Sequence, residues 1–184
     1  MRGFFNGLVF AFALLGGAGL VAVFGGLVPS GADVAPPAAE EWAAKTSLRA
    51  AITRGSRGLT IPVALNDENL KAGIKAFGEN CAVCHGAADA KPSTLAKGFY
   101  IKSPQLAKDG VEDDLEAVTF WKLKHGIRFT AMPAFGGNLT DDELWKIALF
   151  LKHMDKLPPA AEAAWKAIPS VGSPSPFAGT LSAP

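Results

Sequence analysis

The sequence predicts an all-α chain with an N-terminal transmembrane helix, and three observations carry that prediction. A run of 25 residues near the start, Phe4 to Val28, contains one polar member, Asn6. After Asn66, apolar residues recur at helical spacings, and no stretch alternates apolar with polar as a half-buried strand does. The connections between those helices are long and rich in Gly, Pro, Ser and Lys, and long loops need an object to wrap around.

The apolar run comes first in the chain. At about 1.5 Å per residue it is long enough to cross a hydrocarbon layer of roughly 30 Å. The alternative is a cleaved signal peptide, with Ser30-Gly31-Ala32 as a small-x-small cleavage site. Signal-peptide apolar regions usually run only about 7–15 residues, which favours an uncleaved anchor. Arg2 on the short N-terminal side favours residues 1–3 inside and the rest of the chain across the membrane. Gly3, Gly7 and Ala11 fall four apart, as do Ala18, Ala22 and Gly26. Such stripes let another helix approach closely.

Residues 29–65 open with "PSGADVAPPAAEEWAAK", a Pro/Ala-rich stretch with the stiff pair Pro36-Pro37, and read as a tether. A short helix is expected over Ser47 to Gly55, with Arg49, Arg54 and Arg57 near the bilayer surface. Residues 66–157 form the folded domain. Asn66 or Asp67 caps a helix whose apolar positions Leu70, Ile74, Phe77 and Cys81 share one face. A second helix is expected from Val111 to His125, with acids in its first turn, lysines in its last and Gly126 at its stop. The third, "TDDELWKIALFLKHM", opens with Thr140 and Glu143 in capping-box spacing and carries Leu144, Ile147, Ala148, Leu151 and Met154 along one face. In the C-terminal extension, 158–184, a short helix is expected around Ala160 to Ile168. Beyond it lies a low-complexity end expected to be mobile unless a partner orders it.

Composition bounds the function. Of 184 residues, 49% are hydrophobic, but the run near the start takes much of that share. The remaining core is small, and a small domain often depends on a bound group for stability. Basic residues number 18 and acidic residues 17, with no run of like charge, which argues against a nucleic-acid partner.

Both cysteines lie in "NCAVCHGAAD", as Cys81-x-x-Cys84-His85. Three chemistries use such a unit. Structural zinc wants four ligands, and after these three only His125, His153 or an acid remain, at no recognisable spacing. A redox dithiol of the thioredoxin kind wants a strand–helix context, whereas this pair follows a helix. Attachment of a c-type haem uses every residue: two thioethers tie the macrocycle to the chain, and His85 is the proximal ligand. Covalent attachment also suits an exported domain. "GIRFTAMPAFGG" supplies a sixth ligand in Met132, since Pro133 holds that segment in an extended loop. Met154 reads as core filler, and His125 and His153 as surface or capping residues.

With these residues in place, the chain resembles membrane-anchored monohaem class I cytochromes c over roughly Asp67 to Leu157. The resemblance rests on "GIKAFGENCAVCHG", "FWKLKHGIRFTAMPAF" and "LTDDELWKIALFLK". It implies the class I cytochrome c fold, helices and long loops around one haem c bound covalently through Cys81 and Cys84. It also implies that the first and last helices of the domain cross near Gly73 and Phe77 on one and Trp145 and Phe150 on the other. The family often has Tyr where Phe150 stands.

A haem ligated by His85 and Met132 has no vacant position, so the expected role is one-electron transfer and not catalysis. Tyr100, Trp121 and Arg128 are candidate donors to the propionates, and Lys91, Lys97 and Lys102 a candidate docking ring for an acidic partner. The expected setting is the periplasmic side of a bacterial inner membrane, in a respiratory or photosynthetic chain. Expected partners are a quinol-oxidising complex, terminal oxidase, dehydrogenase or reaction centre. The alternative, if Met132 does not bind, is a five-coordinate haem peroxidase or a gas or redox sensor.

Overall fold

The computed structural model describes residues 2–170, and among them there are helices and loops but no strand. The chain divides into two units, 1–34 and 35–184. The first unit is built around α1 (Arg2–Phe24), none of whose side chains is buried. It is the one described helix long and apolar enough to cross a membrane. Its end falls short of the expected Val28 for a local reason. Gly26 turns to φ 67°, the Leu27 amide reaches back to the Ala22 carbonyl at 2.9 Å and the Gly26 amide to Val23 at 3.2 Å. This paired closure ends a helix and requires the left-handed conformation that glycine adopts freely. The second small-residue stripe therefore loses Gly26 from the helix. The 23 residues that remain still span about 35 Å.

In the second unit, α2 (Ala38–Gly55) is twice as long as the short helix expected there. Two helices then form the centre of the domain. α3 (Asp67–Asn80) starts where Asn66 accepts the Asn69 amide at 2.8 Å, and α8 (Asp141–Lys152) starts in the full Thr140–Glu143 capping box. They pack at Gly73, where a Cβ would fall on the Lys146 carbonyl oxygen, so only glycine permits this approach. Phe77 meets Phe150 edge-on at 5.5 Å beside that crossing. Trp145 instead stacks flat on Phe120, with ring centres 4.0 Å apart. Met154 lies beyond the end of α8, half-buried against the core.

Three one-turn helices follow α3 in the connections: α4 (Ala82–His85), α5 (Thr94–Lys97) and α6 (Leu106–Asp109). α7 (Glu116–His125) begins five residues later than expected. The acids before it serve the turn instead. Asp114 closes a turn on Val111 and pairs with Lys122 at 2.6 Å, while the Glu112 carbonyl accepts from Lys152 at 2.5 Å. α9 (Pro159–Lys166) starts one residue before the expected span and stops two residues short of its end, and it belongs to the core, with Ala161 fully buried and Trp165 only 6% exposed. Trp165 closes an aromatic cluster, 5.5 Å from Phe77 and 5.1 Å from Phe150. The expectation for the low-complexity end, 171–184, lies outside the described residues.

Candidate haem site

The site is built where α3 stops. Cys81 caps that helix with its amide on the Phe77 carbonyl at 2.8 Å. The next turn tightens at once: the amides of Cys84 and His85 both reach the Cys81 carbonyl, at 3.0 and 2.9 Å. Gly86, at φ 76°, then redirects the chain. One compact turn thus brings Cys81, Cys84 and His85 to the wall of a single apolar cavity of about 510 Å³. Phe77, Leu123, Phe135 and Leu151 supply apolar wall from α3, α7, α8 and the loop after α7.

Met132 reaches the same cavity from the opposite part of the sequence. Gly126 ends α7 at φ 65°, and a Cβ there would lie 2.6 Å from the Pro133 carbonyl carbon and 2.8 Å from the Met132 oxygen. The loop is closed on itself by Ile127 N–H to Met132 O at 3.1 Å. Thr130 Oγ1 donates to Ile127 O at 2.7 Å and accepts the Met132 amide at 3.1 Å. Two further bonds return it to α7, Phe135 N–H to Leu123 O at 3.0 Å and Gly136 N–H to Lys124 O at 3.2 Å. Met132 is therefore a half-buried side chain on a fixed loop.

The donor set fits a haem and does not fit the competing chemistries. His85 Nδ1 lies 2.9 Å from the Pro104 carbonyl oxygen. A carbonyl can only accept, so Nδ1 carries the proton and Nε2 keeps its lone pair for a metal. Burial, opposed by that hydrogen bond, holds the imidazole below its ordinary pKa, in the neutral form a ligand needs. Burial, with the nearby Cys84 adding to it, pushes the Cys81 thiol up to about 12, and burial raises Cys84 as well. Neither is the low-pKa thiolate of a reactive dithiol. Among the described residues no three His, Cys, Asp or Glu side chains gather into a group that can hold a metal ion, as structural zinc requires. The cavity volume falls within the roughly 300–1,000 Å³ typical of small-molecule and cofactor sites.

The other expected site residues fall elsewhere. Tyr100, Trp121 and Arg128 are not among the residues lining the cavity. Tyr100 Oη donates to Glu40 at 2.8 Å, Trp121 packs against Gly55 and tilts toward His125 at 5.0 Å, and Arg128 is exposed. The cations that do line the cavity are Lys102 and Lys122. Lys102 donates to the Lys97 carbonyl at 2.8 Å, and Lys91 and Lys97 are exposed nearby in the chain. His125 and His153 end α7 and α8 respectively and are not in the lining. Two contributors had no local signal in the sequence. Pro104 and Gln105, some twenty residues on, meet the attachment turn only through the fold: Gln105 Nε2 donates to the Cys84 and Ser103 carbonyls, each at 3.2 Å.

Comparison with known proteins agrees with this geometry. The family described as "Cytochrome C oxidase, cbb3-type, subunit III" matches residues 68–151. The chain is 36% identical over 97 residues to cytochrome c6 of Leptolyngbya boryana, covering 51% of this chain and 95% of that protein. It is 30% identical over 83 residues to cytochrome c6 of Parathermosynechococcus lividus, covering 45% and 87%. A third cytochrome c6, from Diacronema lutheri, is 33% identical over 79 residues, covering 43% and 88%. No solved structure matches the chain. The family match spans the segment that holds Cys81, Cys84, His85 and Met132, and the cytochromes c6 are covered over most of their own length; the chain belongs to the monohaem class I cytochromes c.

Proposed function

We propose that this protein is a membrane-held electron carrier whose haem iron would be held by His85 and Met132. The observation that carries the reading is that His85 and Met132 line one apolar cavity, the His85 ring held through Nδ1 by the Pro104 carbonyl and the Met132 amide held by Thr130 Oγ1. Haem bound here supplies reversible one-electron exchange, and a thioether ligand raises its potential. The chain's own residues do the rest. Pro104 fixes the orientation and tautomer of His85, and the bonds around Thr130 hold the Met132 loop in place. The apolar wall keeps water from the ligands. With His85 and Met132 both given to holding the group, the site would leave no position for a substrate, which favours a carrier over an enzyme.

The exposed, apolar α1 supports a single-pass anchor over Arg2–Phe24, followed by a connecting segment and a haem domain that begins at about residue 66 and takes in α9. Covalent haem attachment supports a haem domain on the periplasmic side of a bacterial inner membrane. Partners are redox proteins of a respiratory or photosynthetic chain. The family description supports a fixed subunit of an oxidase, and the match to small cytochromes c6, covered over as much as 95% of their length, supports a shuttle between complexes.

Met132→Ala in the full chain tests the ligand assignment. The reduced variant is expected to bind carbon monoxide, with a lowered potential; an unchanged spectrum and no carbon monoxide binding overturns the assignment. The partner question is read from native membranes solubilised in mild detergent. The haem-stained band of the wild-type protein co-migrates with a large oxidoreductase if it is a fixed subunit, and migrates alone if it is a shuttle.

A further inference from the structure

The segment between the apolar helix and the haem domain does not run free. Three contacts fix α2 to the domain. Ile52 is buried, at 8% exposure. Gly55 lies flat against the Trp121 indole of α7, with no room for a side chain. One end of the helix is tied by Glu40 accepting the Tyr100 hydroxyl at 2.8 Å. Leu48, Ile52 and Gly55 are spaced by four and three, so one face of α2 makes the docking surface. That face brings Leu48 into the lining of the haem cavity.

We propose that α2 is a wall of the haem site, and that Leu48, positioned by Ile52, Gly55 and the Glu40–Tyr100 bond, shields the cavity mouth from water and so helps to set the potential. This rests on the haem reading of the cavity. A low-dielectric wall disfavours the oxidised form, which carries one more positive charge, and admitting water there favours it. Two consequences follow for electron transfer. A partner approaches the haem from a side that α2 does not cover. The free length of chain between α1 and the haem domain shrinks to the residues before Ala38, since α2 travels with the domain.

Ile52 is buried but lies outside the main core cluster, so its replacement releases α2 without emptying the core. The experiment compares full-length wild type, Ile52→Asp, Leu48→Ser and Met132→Ala in detergent, by amide hydrogen exchange and by redox titration. An isolated helix of this length is marginal in water, so protection reports docking. Wild-type amides over 48–55 are expected to be protected, and Ile52→Asp to speed their exchange by about tenfold or more. Both Ile52→Asp and Leu48→Ser are expected to lower the potential, with exchange in Leu48→Ser unchanged. Unprotected wild-type amides overturn the proposal. So do unshifted potentials in both α2 variants while Met132→Ala shifts, an outcome that leaves the haem reading standing. Wild-type potentials in all three variants overturn both.

Discussion

Replacing Trp165 with alanine removes the one large side chain by which α9 enters the core. Its indole is 6% exposed and makes edge-on or tilted contacts with Phe77 at 5.5 Å and Phe150 at 5.1 Å. A tryptophan buries about 150–250 Å², and at about 25 cal/mol per Å² that is about 4–6 kcal/mol before the part an alanine retains is subtracted. Each aromatic pair adds about 0.5–1.5 kcal/mol, while α9 is a peripheral helix that can settle into part of the space left. The balance is a loss of about 4 kcal/mol, inside the range of about 3–5 kcal/mol for such truncations. That is a large share of the roughly 5–15 kcal/mol that holds a typical domain together. The assay is guanidinium chloride unfolding of the haem-loaded protein, followed by far-ultraviolet circular dichroism and by haem absorbance. The native-state haem spectrum is expected to stay unchanged, because Trp165 does not line the cavity. A loss below about 1 kcal/mol would mean that α9 is not docked on α3 and α8 in solution.

Preventing haem attachment by Cys81→Ser with Cys84→Ser leaves a cavity of about 510 Å³. Wall residues such as Phe77, Leu123 and Leu151 then face water in place of the group they pack against, a loss that weighs heavily against the roughly 5–15 kcal/mol of a typical domain. The unloaded chain is therefore expected to lose its cooperative unfolding transition and near-ultraviolet signal; a sharp native-like transition would count against this. Gly73→Val places methyl groups on the Lys146 carbonyl and forces α3 from α8, with an expected loss of about 3 kcal/mol or failure to fold, checked by denaturant unfolding. Thr140→Ala removes the side-chain cap of α8 and is expected to cost about 1 kcal/mol in the same measurement. Glu143 gives a pH dependence with a definite sign. The Thr140 amide and hydroxyl hold its carboxyl below the ordinary value of 4.5, so its contribution is present above that pH and is lost as pH falls through the depressed folded value. Glu143→Gln is expected to flatten the acid limb of an unfolding-midpoint titration, and an unaltered limb would exclude the capping bond as its source.

What the sequence determined by itself was everything encoded by near neighbours. The attachment unit Cys81-x-x-Cys84-His85 fits within one turn, and the Thr140–Glu143 capping box and the Asn66 cap close within three residues. The Met132-Pro133 loop is framed by glycines whose conformation is local. The apolar run of α1 needs no partner to be recognised; only its end moved, because Gly26 closes the helix before Val28. Tertiary structure decided what depends on residues distant in the chain. The acids at 112–114 look like a helix start, but the Glu112 carbonyl is held by Lys152 and Asp114 by Lys122, so α7 begins at Glu116. Tyr100 carries the right group for a propionate donor, yet its hydroxyl goes to Glu40, sixty residues earlier. α2 has one isoleucine and one leucine on its docking face, too few for a periodic signal, and docks because Gly55 lets Trp121 approach. Trp165 lies in an alanine-rich tail, and its place became visible only when α3 and α8 brought Phe77 and Phe150 together to receive it. Local hydrogen bonds and periodicity are written in consecutive residues, whereas the surface a helix will find to cover depends on the packing of all the others.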